Sequence, residues 1–169
     1  MNQTKGRLVF DPLTQDELEA VAVELAAHLM SGDAVVLSGE VGAGKTTFTR
    51  TACAALEVKE RVTSPTYQLA RSYEGRANSE PVVINHLDLY RLDGESSVED
   101  ALDLDEFLTP RSITFIEWAE PAAGVLREPS GITFEHVSET TRSLTVEGPL
   151  ARRVAARSYP NRPGSEPRC

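Results

Sequence analysis

Ala34-Val35-Val36-Leu37-Ser38-Gly39-Glu40-Val41-Gly42-Ala43-Gly44-Lys45-Thr46-Thr47-Phe48 is the stretch that decides the fold. Four apolar residues before a glycine suit a strand buried in a parallel sheet. Gly39 to Thr46 then reads G-x-x-x-x-G-K-T. Glycines let successive main-chain N–H groups turn inward around an anion. From Lys45 to Leu56 the spacing predicts a helix, with Phe48, Ala52 and Ala55 on one face. The positive end of that helix aims at the same anion. Strand, glycine loop and helix together make a nucleoside triphosphate site. Gly39, Glu40, Val41, Gly42, Ala43, Gly44, Lys45, Thr46 and Thr47 form its cradle. Lys45 is placed to reach the β- and γ-phosphates, and Thr46 offers a hydroxyl to Mg²⁺.

Such a loop needs an acid at the tip of a neighbouring strand, to hold the metal or orient water. Two segments end that way: Val82–Leu87 before Asp88, and Ile113–Ile116 before Glu117. Glu117 is the first choice for metal and water, since its longer carboxylate reaches toward a water proton. Asp88 then binds the ion directly or through its water shell. Which of the two touches Mg²⁺ stays open at this level. Thr66, in Ser64-Pro65-Thr66-Tyr67, fits either a γ-phosphate sensor or a structural turn. Trp118 fits either core packing or a lid or partner contact. Arg71, Arg91 and Arg111 are further phosphate candidates, Arg91 first because it follows Asp88 by three residues. His28, His86 and His136 have no metal-ligand spacing and read as structural. Cys53, inside a predicted helix, reads as buried and inert.

Working outward, Thr14 and Glu17 have the spacing of a capping box, and Leu18, Val21, Ala22, Leu25 and Leu29 extend it as a helix over 15–30. Strands alternating with helices predict an α/β fold of the P-loop NTPase kind. Its sheet is mostly parallel at the centre, with antiparallel edges from the late pair Ile132–His136 and Ser143–Val146 and from the segment around Tyr67. A short helix is expected from Ser97 to about Phe107. Residues 1–148 read as one domain, and 149–169, with four prolines and five arginines, as a disordered tail.

The 169 residues carry a net charge of −9. Between Asn85 and Glu120 there are ten acids against two arginines. A free-standing nucleic-acid binder shows a basic footprint instead, so protein partners are expected. Two cysteines without CxxC spacing exclude a disulfide framework and a zinc cluster. No apolar run approaches the ~18 residues of a membrane span, and Met1–Phe10 lacks a leader pattern. The expectation is a cytoplasmic protein with no membrane contact.

The GTPase base-reading motif N-K-x-D is absent, since Asn85-His86-Leu87-Asp88 lacks its lysine. Nothing proposes the acceptor pocket of a small-metabolite kinase, which leaves an ATPase serving a partner. The phosphate loop, then Ser64-Pro65-Thr66-Tyr67, then His86-Leu87-Asp88-Leu89-Tyr90-Arg91-Leu92, then Glu117-Trp118, occur in that order. Together they resemble the bacterial TsaE (YjeE) family over about residues 10–137. The resemblance implies the ATPase component of tRNA threonylcarbamoyladenosine (t6A) synthesis. It implies TsaB and TsaD as protein partners, which modify adenosine 37 of tRNA and are reset by ATP hydrolysis, with tRNA met only through that complex. It also implies that Lys45 and Thr46 bind phosphate and Mg²⁺, that Glu117 binds Mg²⁺ and that Asp88 is needed for hydrolysis. Thr66 falls in its switch-like loop and Trp118 beside its site. The rival classes are a stand-alone metabolite kinase and a nucleotide-gated binding module with little turnover.

Overall fold

The computed structural model describes residues 2–4, 6–65, 68–90 and 102–158. Eight strands form one sheet: β1 (Asn2–Thr4), β2 (Arg7–Leu13), β3 (Ala34–Ser38), β4 (Ala70–Ala77), β5 (Glu80–Asp88), β6 (Ser112–Glu117), β7 (Ser130–His136) and β8 (Arg142–Glu147). Their order is β1-β2-β8-β7-β3-β6-β5-β4. The central four, β7-β3-β6-β5, run parallel, and the outer pairings are antiparallel. This is the expected α/β class. The reason lies in burial: all six residues of β6 are buried, and in β3 Val35 and Leu37 are sealed, as apolar runs covered on both faces require.

The register sets up the site. Leu37 of β3 lies beside Glu117 of β6, and Glu117 lies beside Asp88 of β5. Three parallel strands therefore end level, and the glycine loop leaves β3 at that level. Helices α1 (Gln15–Ala26) and α2 (Lys45–Ala55) pack together on one face. Their apolar sides join Ile84, Ile113, Phe115, Ile132 and Phe134 in the main core. The opposite face carries a smaller cluster of Leu87, Leu89, Ile116 and Leu104, the last from the short helix α3 (Leu104–Phe107). The expected start of that helix, Ser97 to Asp100, lies outside the described residues. Helix α1 stops four residues sooner than its periodicity suggests, because His28 and Leu29 turn back on Leu25 and Ala26 through tighter hydrogen bonds. Cys53 is fully buried, and burial pushes its thiol up to about 12, which keeps it protonated and unreactive.

Several elements depart from the sequence reading, β1 at Asn2–Thr4 among them. β2 has no counterpart there. It buries Leu8, Phe10 and Leu13 against β8, and its ladder slips between Phe10 and Leu13, where Pro12 has no N–H to give. Tyr67 itself lies outside the described residues; the antiparallel edge strand expected near it is β4, which starts at Ala70 and joins β5 through Asn78 and Ser79, both left-handed as a two-residue hairpin demands. Finally, 149–169 is not a disordered tail from its start. Pro149–Ser158 is a helix, α4. Leu150, Ala151 and Val154 form a buried stripe at helical spacing, the Leu150 N–H donates to Ser130 Oγ at 3.0 Å, and Arg153 binds the His28 carbonyl at 2.9 Å and the Asp33 carboxylate. Arginine-rich composition hid a short apolar face. Residues 159–169 lie outside the described region. Among the described residues no helix is long and apolar enough to cross a membrane.

Candidate functional site

Gly39 follows β3 directly with φ +139, and a Cβ there would lie 2.5 Å from the Phe134 carbonyl oxygen. Only glycine lets the loop pass this close to β7. Gly44 closes the loop with φ +112, and a Cβ there would meet Leu18 of α1 at 3.2 Å. Helix α2 starts at the next residue. Phe48 locks it to the sheet, edge-to-face with Phe115 at 6.5 Å and Phe134 at 5.6 Å. No side chain among the described residues caps the N-terminus of α2, and its first turn holds no acid. Its leading N–H groups therefore keep their pull on an anion. Lys45 is buried, and its Nζ donates to the carbonyls of Gly39 at 2.7 Å and Glu40 at 2.9 Å. The same Nζ sits 5.5 Å from the centre of the Trp118 ring, a cation–π distance.

Asp88 and Glu117 close β5 and β6 side by side in register, each 5% exposed. Adjacent strands run about 4.8 Å apart, so the two carboxylates share one small space. Each is held from behind. Asp88 accepts the Tyr90 N–H on Oδ1 at 3.2 Å and the Ser64 hydroxyl on Oδ2 at 3.3 Å. Glu117 Oε1 lies 3.0 Å from His86 Nε2. A cleft of about 420 Å³ separates these acids from the loop. Val41, Gly42 and Gly44 to Thr47 line one side, Asp88, Glu117 and Ser64 another, and Tyr90 and Trp118 complete it. The two aromatic rings lie 5.1 Å apart. Trp118 holds φ +57, unusual for a bulky residue, and this bend turns the chain out of β6 beside the cleft.

A neighbouring hollow of about 510 Å³ shares Gly42, Gly44 and Thr47 with the cleft, and reaches Thr14, Gln15 and the β7–β8 turn at Glu139, Thr140 and Arg142. Two hollows of about 640 and 630 Å³ are larger. One contains Lys59, Arg76 and Arg111, and the other lies where β3 and β6 begin, away from the loop. Size is outweighed by chemistry here: of these four hollows among the described residues, the cleft of about 420 Å³ is the one that joins a helix N-terminus, a lysine and two level carboxylates. Its donors are oxygens, from the Thr46 hydroxyl and the acids, the set a hard divalent cation takes. No group of three or more metal-binding side chains occurs among the described residues, so phosphate oxygens and water would have to complete the shell.

The structure brings Lys45, Thr46, Thr47, Asp88 and Glu117 together. Glu40 gives only its carbonyl, and its side chain faces solvent. Ala43 is buried and faces the neighbouring hollow. Thr66 and Arg91 lie outside the described residues. Arg71 is committed elsewhere, to Thr63 at 2.7 Å and Gln68 at 3.0 Å. Ser64, Tyr90 and His86 are additions the sequence reading did not assign to the site. The signal for Tyr90 was its position two residues past a strand-end acid, and for His86 two residues before one.

The chain matches the sequence profile of the family described as threonylcarbamoyl adenosine biosynthesis protein TsaE over residues 13–145. It is 37% identical over 146 residues to the tRNA threonylcarbamoyladenosine biosynthesis protein TsaE of Bacillus subtilis, covering 86% of this chain and 85% of that protein. It is 38% identical over 149 residues to the Mycobacterium tuberculosis protein of the same name, covering 84% and 87%. The crystal structure of Bacillus subtilis YdiB shares the fold, with a TM-score of 0.69 at 24% identity over 90% of this chain and 97% of that one. The glycine loop, the level carboxylates and β3 to β7 all fall inside the matched span, and the chain belongs to the TsaE family.

Proposed function

We propose that the chain is a Mg²⁺-dependent ATPase acting in t6A biosynthesis, where its hydrolysis of ATP resets a TsaB–TsaD complex on tRNA. One arrangement carries this reading: an uncapped helix N-terminus and Lys45 face two carboxylates that end neighbouring parallel strands. The amides of Gly42 to Thr46 bind phosphate oxygens. Lys45 leaves the carbonyls of Gly39 and Glu40 to reach the β- and γ-phosphates. Thr46, Glu117 and Asp88 are the residues that hold Mg²⁺, which neutralises charge on the phosphate oxygens when bound. A carboxylate oxygen of Glu117 or Asp88 orients the attacking water and takes its proton. Thr14 and the β7–β8 turn bound the hollow beside the loop, which fits the nucleoside.

The acidic surface favours docking on a basic protein face over binding bare RNA. Affinity for the partner pair that does not change between low and high salt would remove that part of the reading. The main test measures ATP turnover by the full chain with and without TsaB and TsaD. A reset ATPase speeds up with partners, a metabolite kinase turns over without them, and a gated module stays slow with both. Calorimetry that finds no Mg-ATP uptake, partners included, would end the proposal.

A further inference from the structure

His86 sits mid-sheet in β5, between Arg71 of β4 and Phe115 of β6, two residues before Asp88 and on the same face. Its side chain has no exposure. Among the described residues its Nδ1 has no hydrogen-bond partner, while Nε2 lies 3.0 Å from Glu117 Oε1. An imidazole buried beside Ile84 and Phe115 costs more than a valine or leucine in the same place. Its one visible return is the bond to Glu117.

The lone Nδ1 decides how that bond is made. A proton there would be a buried donor with nothing to receive it, in the neutral ring and in the imidazolium alike. With the proton on Nε2, the ring donates to the carboxylate and leaves only an acceptor unpaired. Glu117 needs such a brace more than Asp88 does. It has one more torsion, and Asp88 is already held by Ser64 and the Tyr90 N–H.

We propose that His86 is a positioning residue: its Nε2–H fixes Oε1 of Glu117 and so turns Oε2 toward the cation and water in the cleft. The inference rests on the Mg-nucleotide reading of that cleft. Partners that hold a metal-binding carboxylate typically set about 10- to 100-fold of metal affinity.

The test uses the full chain, with ADP and Mn²⁺ as probes. In His86→Leu the chain should still fold, since leucine fills the same buried place. ADP affinity in EDTA should stay within about twofold, while Mn²⁺ affinity of the ADP complex falls about 10- to 100-fold. His86→Gln, which retains a donor, should recover most of the loss. Long-range ¹H–¹⁵N spectra of the unaltered chain should show the Nε2–H tautomer. Wild-type Mn²⁺ affinity in His86→Leu, or an Nδ1–H tautomer, overturns the positioning role. Should the leucine variant not fold, His86→Phe is read in the same way, and the tautomer decides independently. Failure of the unaltered chain to take up ADP would instead overturn the nucleotide reading, and this inference with it.

Discussion

Helices α1 and α2 pack against each other on one face of the sheet, yet they begin in opposite ways. At α1 the Thr14 N–H donates to Glu17 Oε2 at 2.8 Å, and Thr14 Oγ accepts the Glu17 N–H at 3.4 Å. Asp16 and Glu17 add negative charge to that first turn. At α2 the capping position is Gly44, and the first residues are Lys45, Thr46 and Thr47, with no acid among them. The backbone physics is identical: each start exposes N–H groups with a partial positive charge. One start is sealed by its own side chains and serves only the fold. The other is left open and glycine-lined, which costs stability and is tolerated where a ligand will complete it. Leu18 of α1 packs against Gly44, so the sealed helix supports the loop that ends at the open one.

The most damaging change to the open start should be Gly39→Ala. It forces φ +139 on alanine and drives a Cβ to 2.5 Å from the Phe134 carbonyl. Strain and overlap together should cost about 2–4 kcal/mol, a large drop in melting temperature, and phosphate binding should go with it. An unchanged melting point would mean that the loop is not seated on β7. Lys45→Ala comes next. Losing one charged hydrogen-bonding group should weaken Mg-ATP binding by about 10- to 100-fold in calorimetry. It should also shrink the stabilisation that ligand at a hundred times the intact protein's Kd provides, from about 2.7 to about 0.4–1.4 kcal/mol.

At the sealed start, Thr14→Ala should cost about 1 kcal/mol of folding stability in denaturant titration, while affinity for inorganic pyrophosphate, which reads the loop alone, stays unchanged. A matching loss of pyrophosphate binding would erase the distinction between the two ends. The smallest effect is one of pH. Hydrogen bonds from the Thr14 N–H, and then from its hydroxyl, hold the Glu17 carboxyl below its ordinary 4.5. A carboxyl lowered in the folded state contributes stability above 4.5 and loses it as pH falls through the lowered value. Unfolding midpoints of the intact chain and Glu17→Gln should therefore converge in acid and separate slightly near neutrality.

Much of the site was legible because it is local. G-x-x-x-x-G-K-T specifies its own turn and helix start within eight residues, and Thr14 with Glu17 specifies the other. Asp88 and Glu117 announced themselves as acids closing apolar runs. The sequence could not say that they stand side by side, because register between strands some thirty residues apart is set by how Ile84, Phe115 and their neighbours pack under α2. The same holds for β2, whose seven residues gain meaning only beside β8, and for α4, where three buried side chains outweigh a composition that reads as disorder.

Short-range spacing alone thus determined the strand, the glycine loop and the helix behind it. The fold decided which acids face the loop, that Tyr90 and Trp118 stand at the cleft, and that His86 holds Glu117. The physical reason is that backbone geometry depends on neighbours in the chain, while the meeting of distant side chains depends on burying apolar surface from the whole chain at once.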